Sequence, residues 1–472
     1  MPVAPAAQFR GDIAVPVVIV GAGACGLCAA LAARDEGVEA LVLERDALPR
    51  GSTALSSGLI PAAATRQQAA KGIADSPGLF AADIARKNHG GADPRIVDVV
   101  ARSAGPTVDW LSVRHGVTLQ VLDDFLYPGH SVHRMHGTPR RTGEELMEFL
   151  AAAAARSGAI IMANSRCTTL FADSEGRIVG VAVERPDGSR EQIGCESLVL
   201  ACNGYGGSKA MVRCYIPAME RAHFAGHAGN QGDAVLWGQE LGAALADLDS
   251  FQGHGSVAHP HGILITWAVM TEGGFQVNLR GERFSNEHRG YSEQALDVLA
   301  QPEGIAFDIF DTRLDAIARQ FEDYRQAEAA GALVRAESVD ELSARLRLPA
   351  DALARTFAST RDYAAGRAAD PFGRDFTTKP PLSAPYVAVR VTGSLFHTQG
   401  GLVIDESARV LRPDGRRFPN LWAGGGAARG VSGAGAGGYL SGNGLLTATT
   451  LGRIAGTAAA QSARSRTPFI PG

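Results

Sequence analysis

The strongest constraint on this chain lies near its start, where the apolar, β-branched run Val17-Val18-Ile19-Val20 leads directly into Gly21-Ala22-Gly23-Ala24-Cys25-Gly26. Such a run reads as a strand buried on both faces of a parallel sheet. Leu27 to Asp35 is rich in alanine and leucine and is closed by Gly37, which predicts a helix, and Val38 to Glu44 predicts a second strand. One β-α-β unit follows. In the spacing G-x-G-x-x-G, Gly21 permits a tight turn, Gly23 and Ala24 bring backbone N–H groups to a pyrophosphate at a helix N-terminus, and Gly26 lets helix pack on strand. Glu44 stands 23 residues after Gly21, where a carboxylate can accept the hydroxyls of an adenosine ribose. The segment is therefore expected to bind a dinucleotide.

Further along, Thr168 to Leu200 alternates as short strands around an Asp187-Gly188 hairpin signal, predicting a small antiparallel meander. It returns into Leu198-Val199-Leu200-Ala201, a buried strand ending in Cys202-Asn203-Gly204. Residues 249–392 change character: helical stretches such as Val339 to Leu346 and Asp351 to Ala365 dominate, with few buried strand runs. After Gly393 the glycine-rich turns return, and Leu445 to Ala460 predicts a closing helix. The expected architecture is α/β: a discontinuous Rossmann-like cofactor domain over 1–248 and 393–472, carrying the meander, with an inserted α+β capping domain over 249–392 and the active site between them. A length of 472 residues accommodates two such domains.

Composition removes several classes. Lys+Arg 45 against Asp+Glu 49 gives no positive excess for nucleic acid or an anionic membrane. Six scattered cysteines favour a reducing compartment over a disulfide framework. No apolar stretch of membrane-spanning length and no signal-like N-terminus occurs, so a cytoplasmic location is expected.

Beyond Glu44 comes Arg45, then Gly51-Ser52-Thr53-Ala54-Leu55-Ser56-Ser57-Gly58-Leu59, small residues suited to a loop laid against a flavin. Together with Arg134-Met135-His136, Gly232-Asp233-Ala234, Gly281-Glu282-Arg283-Phe284-Ser285-Asn286-Glu287, His397-Thr398-Gln399-Gly400-Gly401 and Tyr439-Leu440-Ser441-Gly442-Asn443, this segment resembles the flavoprotein family of fumarate reductase, succinate dehydrogenase and the 3-ketosteroid dehydrogenases. The resemblance implies FAD. Its contacts would come from Gly21, Gly23, Ala24, Gly26, Glu44, Arg45, Ser52, Thr53, Ser57, Gly58, Ala201, Gly204, Asp233, Gly425, Gly442, Asn443 and Leu445. Ser52 occupies the place of the flavin-linked histidine of membrane-bound relatives, so the flavin is expected to be held without a covalent bond. Gly426 stands where relatives often carry a glutamate near the ribityl chain.

In fumarate reductases two histidines and an arginine grip a substrate carboxylate, and a second arginine passes the proton. By resemblance His254 and His397 match the two histidines. The positions matching the two arginines hold Tyr291, four residues after Glu287, and Tyr439. Exchanging always-charged, fork-shaped donors for phenols disfavours a dicarboxylate and suits an uncharged carbonyl on a bulkier substrate. This resembles the ketosteroid dehydrogenase branch, where tyrosines carry the acid–base work. The expected reaction forms or reduces a C=C bond beside a carbonyl, with hydride exchanged at flavin N5, Tyr291 or Tyr439 moving the proton and Ser441 as a possible relay. Two alternatives stay open: a reductase of an unsaturated carboxylic acid using His254 and His397 for the anion, and a non-catalytic flavin-binding redox module. The electron donor or acceptor is not identified, because no haem or iron–sulfur cysteine pattern appears.

Other features read as structural. Cys25 and Cys28 form a C-x-x-C at a helix start, where small residues pack beneath the dinucleotide. His259 and His261 lack the acidic or cysteine partners of a metal site and read as loop residues, and Arg140-Arg141 as a solvated turn.

Overall fold

Val17, Val18 and Ile19 have no solvent exposure, because the strand Ile13–Val20 is paired on both sides. It runs parallel to Ala40–Leu43 on one side and to Arg190–Leu200 on the other, with helix Ala24–Asp35 between the first two strands. The computed structural model describes residues 2–11 and 13–465. They divide into two units, one bounded as Met1–Ile216, Gly226–Phe251 and His397–Gly472, the other as Pro217–Ala225 and Gln252–Phe396.

In the first unit a nine-stranded sheet carries the cofactor motif. Strand Arg190–Leu200 is shared between two functions. Its opening residues pair antiparallel with Ile178–Glu184 in the expected meander, and its last three pair parallel with Leu421–Ala423. The Asp187-Gly188 turn closes as the sequence suggests, the Asp187 carboxylate accepting from the Ser189 N–H at 2.9 Å. Val20, Leu200 and Ala423 end side by side, each running into a glycine-containing turn. The carboxyl edge of a parallel sheet is where such folds bind ligands. The closing helix spans Asn443–Arg464, longer at both ends than its apolar pattern alone marks.

The second unit is more strongly β than its sequence suggests. A seven-stranded sheet includes Ile305–Asp311, buried at every position, flanked by Phe275–Asn278 and the long strand Tyr386–Thr398. Polar residues inside these strands mask the pattern: Gln276 and Asp308 have no exposure, and they satisfy one another through a 2.7 Å hydrogen bond. Helices Val339–Leu346 and Ala350–Ala364 match expectation. The segment Pro217–Ala225, assigned from sequence to the cofactor domain, belongs instead to this unit, because His223–Phe224 pair parallel with Ser394–Leu395.

Candidate active site

The turn after Ile13–Val20 is too close-packed for any side chain at position 26. A Cβ there would lie 1.8 Å from the Gly21 carbonyl oxygen, so only glycine lets the helix sit this near the strand. Thr53 Oγ1 accepts from the Ala24 N–H at 3.2 Å and so engages the first turn of the helix. Glu44 is buried, its two oxygens accepting the Ala22 and Asp46 N–H groups at 2.9 Å each. Burial nevertheless raises its pKa, and each oxygen keeps a second lone pair. Arg45 donates to the Gly229 carbonyl, while Ser52 Oγ accepts from the His227 N–H and Asn230 Nδ2 at 3.0 and 2.8 Å, tying this loop to 227–230. Gly58 takes its N–H to Ser56 Oγ, and Ser57 is half-buried beside it. Ala201 closes the sheet edge with an N–H to the Val20 carbonyl, and Gly204 follows at the next turn. Asp233 opens helix Asp233–Leu241, where burial raises its pKa. Gly425 sits in the turn after Ala423.

At the N-terminus of Asn443–Arg464, capped by Gly442, a second cluster forms. The Gly444 N–H donates to Tyr439 Oη at 3.2 Å. The Tyr439 ring meets His397 edge-on with centroids 5.7 Å apart. A Cβ at 444 would come within 2.5 Å of His397 Nε2, so the missing side chain is what admits the imidazole. Burial holds the His397 pKa down at about 4, leaving a neutral ring at pH 7. Asn443 Oδ1 is buried and unpartnered, while Leu445 is half-buried one turn into the helix. Ser441 turns its hydroxyl toward the Pro128 carbonyl at 3.4 Å, and its own carbonyl accepts from His130 Nε2 at 2.9 Å.

In the second unit His254 lies stacked on Tyr291, ring centroids 4.8 Å apart and planes inclined by 21°. Trp267 and Phe396 complete an aromatic enclosure at 5.6 and 5.7 Å from the His254 ring. The Ser256 N–H donates to His254 Nδ1 at 3.1 Å, and burial pushes this imidazole's pKa down to about 3. Ser256 Oγ in turn donates to Asp308, whose pKa burial raises to about 7. Trp267, Phe396, Ser256, Gln399 and Gly444 escape a sequence reading. Of these, Phe396 and Gln399 lie in or beside the segment His397-Thr398-Gln399-Gly400-Gly401 that drew attention to His397.

Arginines close in sequence to the two tyrosines are engaged elsewhere, Arg283 with Glu287, Arg289 with Asp297 and Arg429 with Asp247, and Arg374 also pairs with Glu287. Arg140 pairs with Glu145 and Glu148, and Arg141 with Asp124. Cys25 and Cys28 are buried and stay thiols, Cys28 being pushed up to about 12. Among the described residues no group of three or more His, Cys, Asp or Glu is placed to hold a metal ion, and no helix is long and apolar enough to cross a membrane.

A family model described as an FAD binding domain matches residues 16–445. A probable fumarate reductase of Shewanella frigidimarina is 31% identical over 95% of this chain and 75% of its own length. The open conformation of a flavocytochrome c3 fumarate reductase has a TM-score of 0.81 at 29% identity, covering 96% of this chain and 79% of that one. A 3-ketosteroid-Δ4-(5α)-dehydrogenase from Rhodococcus jostii, solved with 4-androstene-3,17-dione, has a TM-score of 0.75 at 26% identity, covering 97% and 99%. The residues present suit the dinucleotide: a side-chain-free turn into a helix N-terminus, a buried carboxylate with spare lone pairs, and the buried, unpartnered Asn443 Oδ1. The chain therefore belongs to the FAD-binding-domain flavoproteins that include the fumarate reductases, and is an FAD-dependent oxidoreductase of CH–CH groups.

Proposed function

We propose that the substrate is an uncharged ketone, cyclic and steroid-like in bulk, whose C=C bond beside the carbonyl is formed or reduced. The observation that carries this reading is the chemistry of the two pairs. Each tyrosine that matches a family arginine packs against a histidine that burial keeps neutral, Tyr291 on His254 and Tyr439 on His397. A dicarboxylate needs cationic partners when it leaves water, whereas a ketone oxygen needs only neutral donors. Overall identity favours the reductases by a few per cent, but fold and identity do not fix substrate; the groups at the site do.

When bound, FAD would supply the hydride chemistry for the carbon β to the carbonyl. Tyr439 is assigned to the carbonyl oxygen or the adjacent proton. The Gly444 N–H on its phenol oxygen, at a helix N-terminus, helps carry charge that develops there as its proton is shared. His397 and His254 supply neutral N–H donors and apolar ring surface. Tyr291 supplies a second phenol, held by its stacking on His254. Glu44, Asp233 and Asn443 are assigned to holding the dinucleotide, non-covalently because Ser52 offers no imidazole for a flavin bond.

A second reading keeps the fold and uses the two histidines to bind an unsaturated acid, favoured by the 31% identity to a probable fumarate reductase and the TM-score of 0.81 to a flavocytochrome c3 fumarate reductase. Anaerobic rapid mixing of the holoenzyme separates the two. Cyclic ketones are expected to bleach the oxidised flavin, or unsaturated cyclic ketones to restore its colour after reduction, with dicarboxylates inert. Turnover of fumarate with a reduced dye and silence toward every ketone would reverse the assignment.

A further inference from the structure

We propose that His130 is a positioning residue: it fixes the peptide plane between Ser441 and Gly442, and with it the entry into helix Asn443–Arg464 where Tyr439 and Gly444 meet. The proposal rests on the reading of Tyr439 as a substrate-facing group. His130 Nε2 lies 2.9 Å from the Ser441 carbonyl oxygen, and a carbonyl can only accept, so the ring proton sits on Nε2. The ladder of the helix reaches back to the Gly442 carbonyl, which accepts from the Leu446 N–H. The Ser441 carbonyl lies outside that ladder in a buried residue, and the imidazole is the donor that satisfies it. This peptide is trans and planar, so its C=O and N–H point opposite ways. Directing the carbonyl at His130 turns the Gly442 N–H away from the ring, and that N–H makes no hydrogen bond among the described residues. Tyr439 precedes the plane and Gly444 follows it. The N–H of the one holds the phenol oxygen of the other at 3.2 Å, so a tilt of the plane moves the two ends of that contact against each other.

His130 is itself held on both sides. Ser131 donates its N–H and its hydroxyl to the two carboxylate oxygens of Asp83, at 2.8 and 2.5 Å. Arg86, ion-paired with Asp83, donates to the Gly129 carbonyl at 2.8 Å. Asp83 also pairs at 3.0 Å with Arg134, a buried guanidinium lying 4.5 Å over the Phe80 ring. The same loop touches the helix entry at two further points. Ser441 Oγ donates to the Pro128 carbonyl at 3.4 Å, and a Cβ on Gly129 would fall 2.5 Å from Leu440 Cδ1. Burial and the Arg134 charge push the His130 pKa down to about 4, so the ring is neutral at pH 7. Its Nδ1 is buried without a partner. A residue kept for bulk alone would avoid the cost of that nitrogen, and the bond from Nε2 to Ser441 is what the imidazole adds.

The test compares His130→Phe, which keeps a ring and loses the donor, with His130→Gln, which returns an N–H donor, both as flavin-loaded enzyme turning over an unsaturated cyclic ketone. His130→Phe is expected to keep its flavin and to hold KM within about twofold, so that the loss falls on kcat. That loss should be about tenfold, below the ~10²-fold that a 1 Å misplacement can cost, because the tether from Ser441 to Pro128 remains. His130→Gln should recover kcat to within about threefold of wild type, as a restored donor to a buried carbonyl implies. Equal kcat in His130→Phe and wild type overturns the proposal, as does a His130→Gln no faster than His130→Phe. In histidine-labelled wild type, the 15N signals that vanish in His130→Gln should show a pyrrole-type Nε2 and a bare Nδ1, and a proton on Nδ1 overturns the proposal as well. Should His130→Phe not fold, His130→Asn, whose amide is one methylene short of the carbonyl, takes its place. If the ketone reading fails, turnover moves to a dicarboxylate with the ratios between variants kept. If the positioning role fails, ketone turnover stands and those ratios vanish.

Discussion

His254 is held by a main-chain amide and enclosed by Tyr291, Trp267 and Phe396, whereas His397 is held by the Gln399 side chain and abuts the first turn of a helix through Gly444. Both end as neutral rings beside a tyrosine, yet one pair depends on backbone and packing, the other on individual polar atoms. Single substitutions should therefore act unequally on the two. Where geometry is carried by the main chain, removing a hydroxyl leaves the ring in place. Where it is carried by side chains at a helix end, one atom gained or lost is felt by the whole cluster.

Tyr439→Phe should have the largest effect, about a 10³-fold loss of kcat with flavin retained, since it removes the donor backed by the helix N-terminus. Steady-state turnover beside the flavin absorbance of the purified variant checks this. Gly444→Ala should follow, about 10²-fold, because the new methyl would come within 2.5 Å of His397 Nε2 and must displace the ring. The loss should appear in turnover and in a lowered Tm together. Tyr291→Phe should cost only about tenfold, below the ~10²-fold minimum typical of a removed acid–base group, because the stack on His254 survives. A larger loss for Tyr291→Phe than for Tyr439→Phe would invert the contrast drawn between the two pairs.

These differences also explain what could be read in advance. The β-α-β cofactor motif was legible because strand, glycine turn, helix and Glu44 each obey a local rule, and neighbours in space are neighbours in sequence. The Asp187-Gly188 hairpin was legible for the same reason. The sheet of the second unit was obscured by Gln276 and Asp308, polar residues buried only because strands far apart in sequence satisfy them. The expected relay residue Ser441 was placed by spacing alone, and spacing does not reveal that its hydroxyl turns to Pro128. Likewise the partnership of Gln399 with Ser432 and Asn443 joins residues 33 and 11 apart, beyond any local pattern.

The smallest expected effect is on pH dependence. His397 and His254 titrate at about 4 and 3 in the folded state, against ~6.5 in an unfolded chain. Between those values the unfolded chain binds the extra protons, so both histidines make stability rise with pH toward ~6.5 and fall on acidification, by up to ~1.4 kcal/mol per pH unit each. Asp308 works in the opposite sense. Raised to about 7, it keeps its proton in the folded state while an unfolded aspartate ionises near ~3.9, so its contribution is lost as pH rises toward 7. Asp308→Asn should therefore steepen the rise of Tm between pH 4 and ~6.5, and His397→Asn should flatten it. An unchanged slope in both would mean that neither ring nor carboxylate is shifted as burial implies.

Substrate preference decides whether phenols in place of guanidinium groups changed the chemistry. The ratio of kcat/KM for an unsaturated cyclic ketone to that for a dicarboxylate, measured with one reduced dye on the same holoenzyme, should lie well above one in the wild type and drop when Tyr291→Arg and Tyr439→Arg are combined. A wild-type ratio far below one, unmoved by those two substitutions, would contradict it.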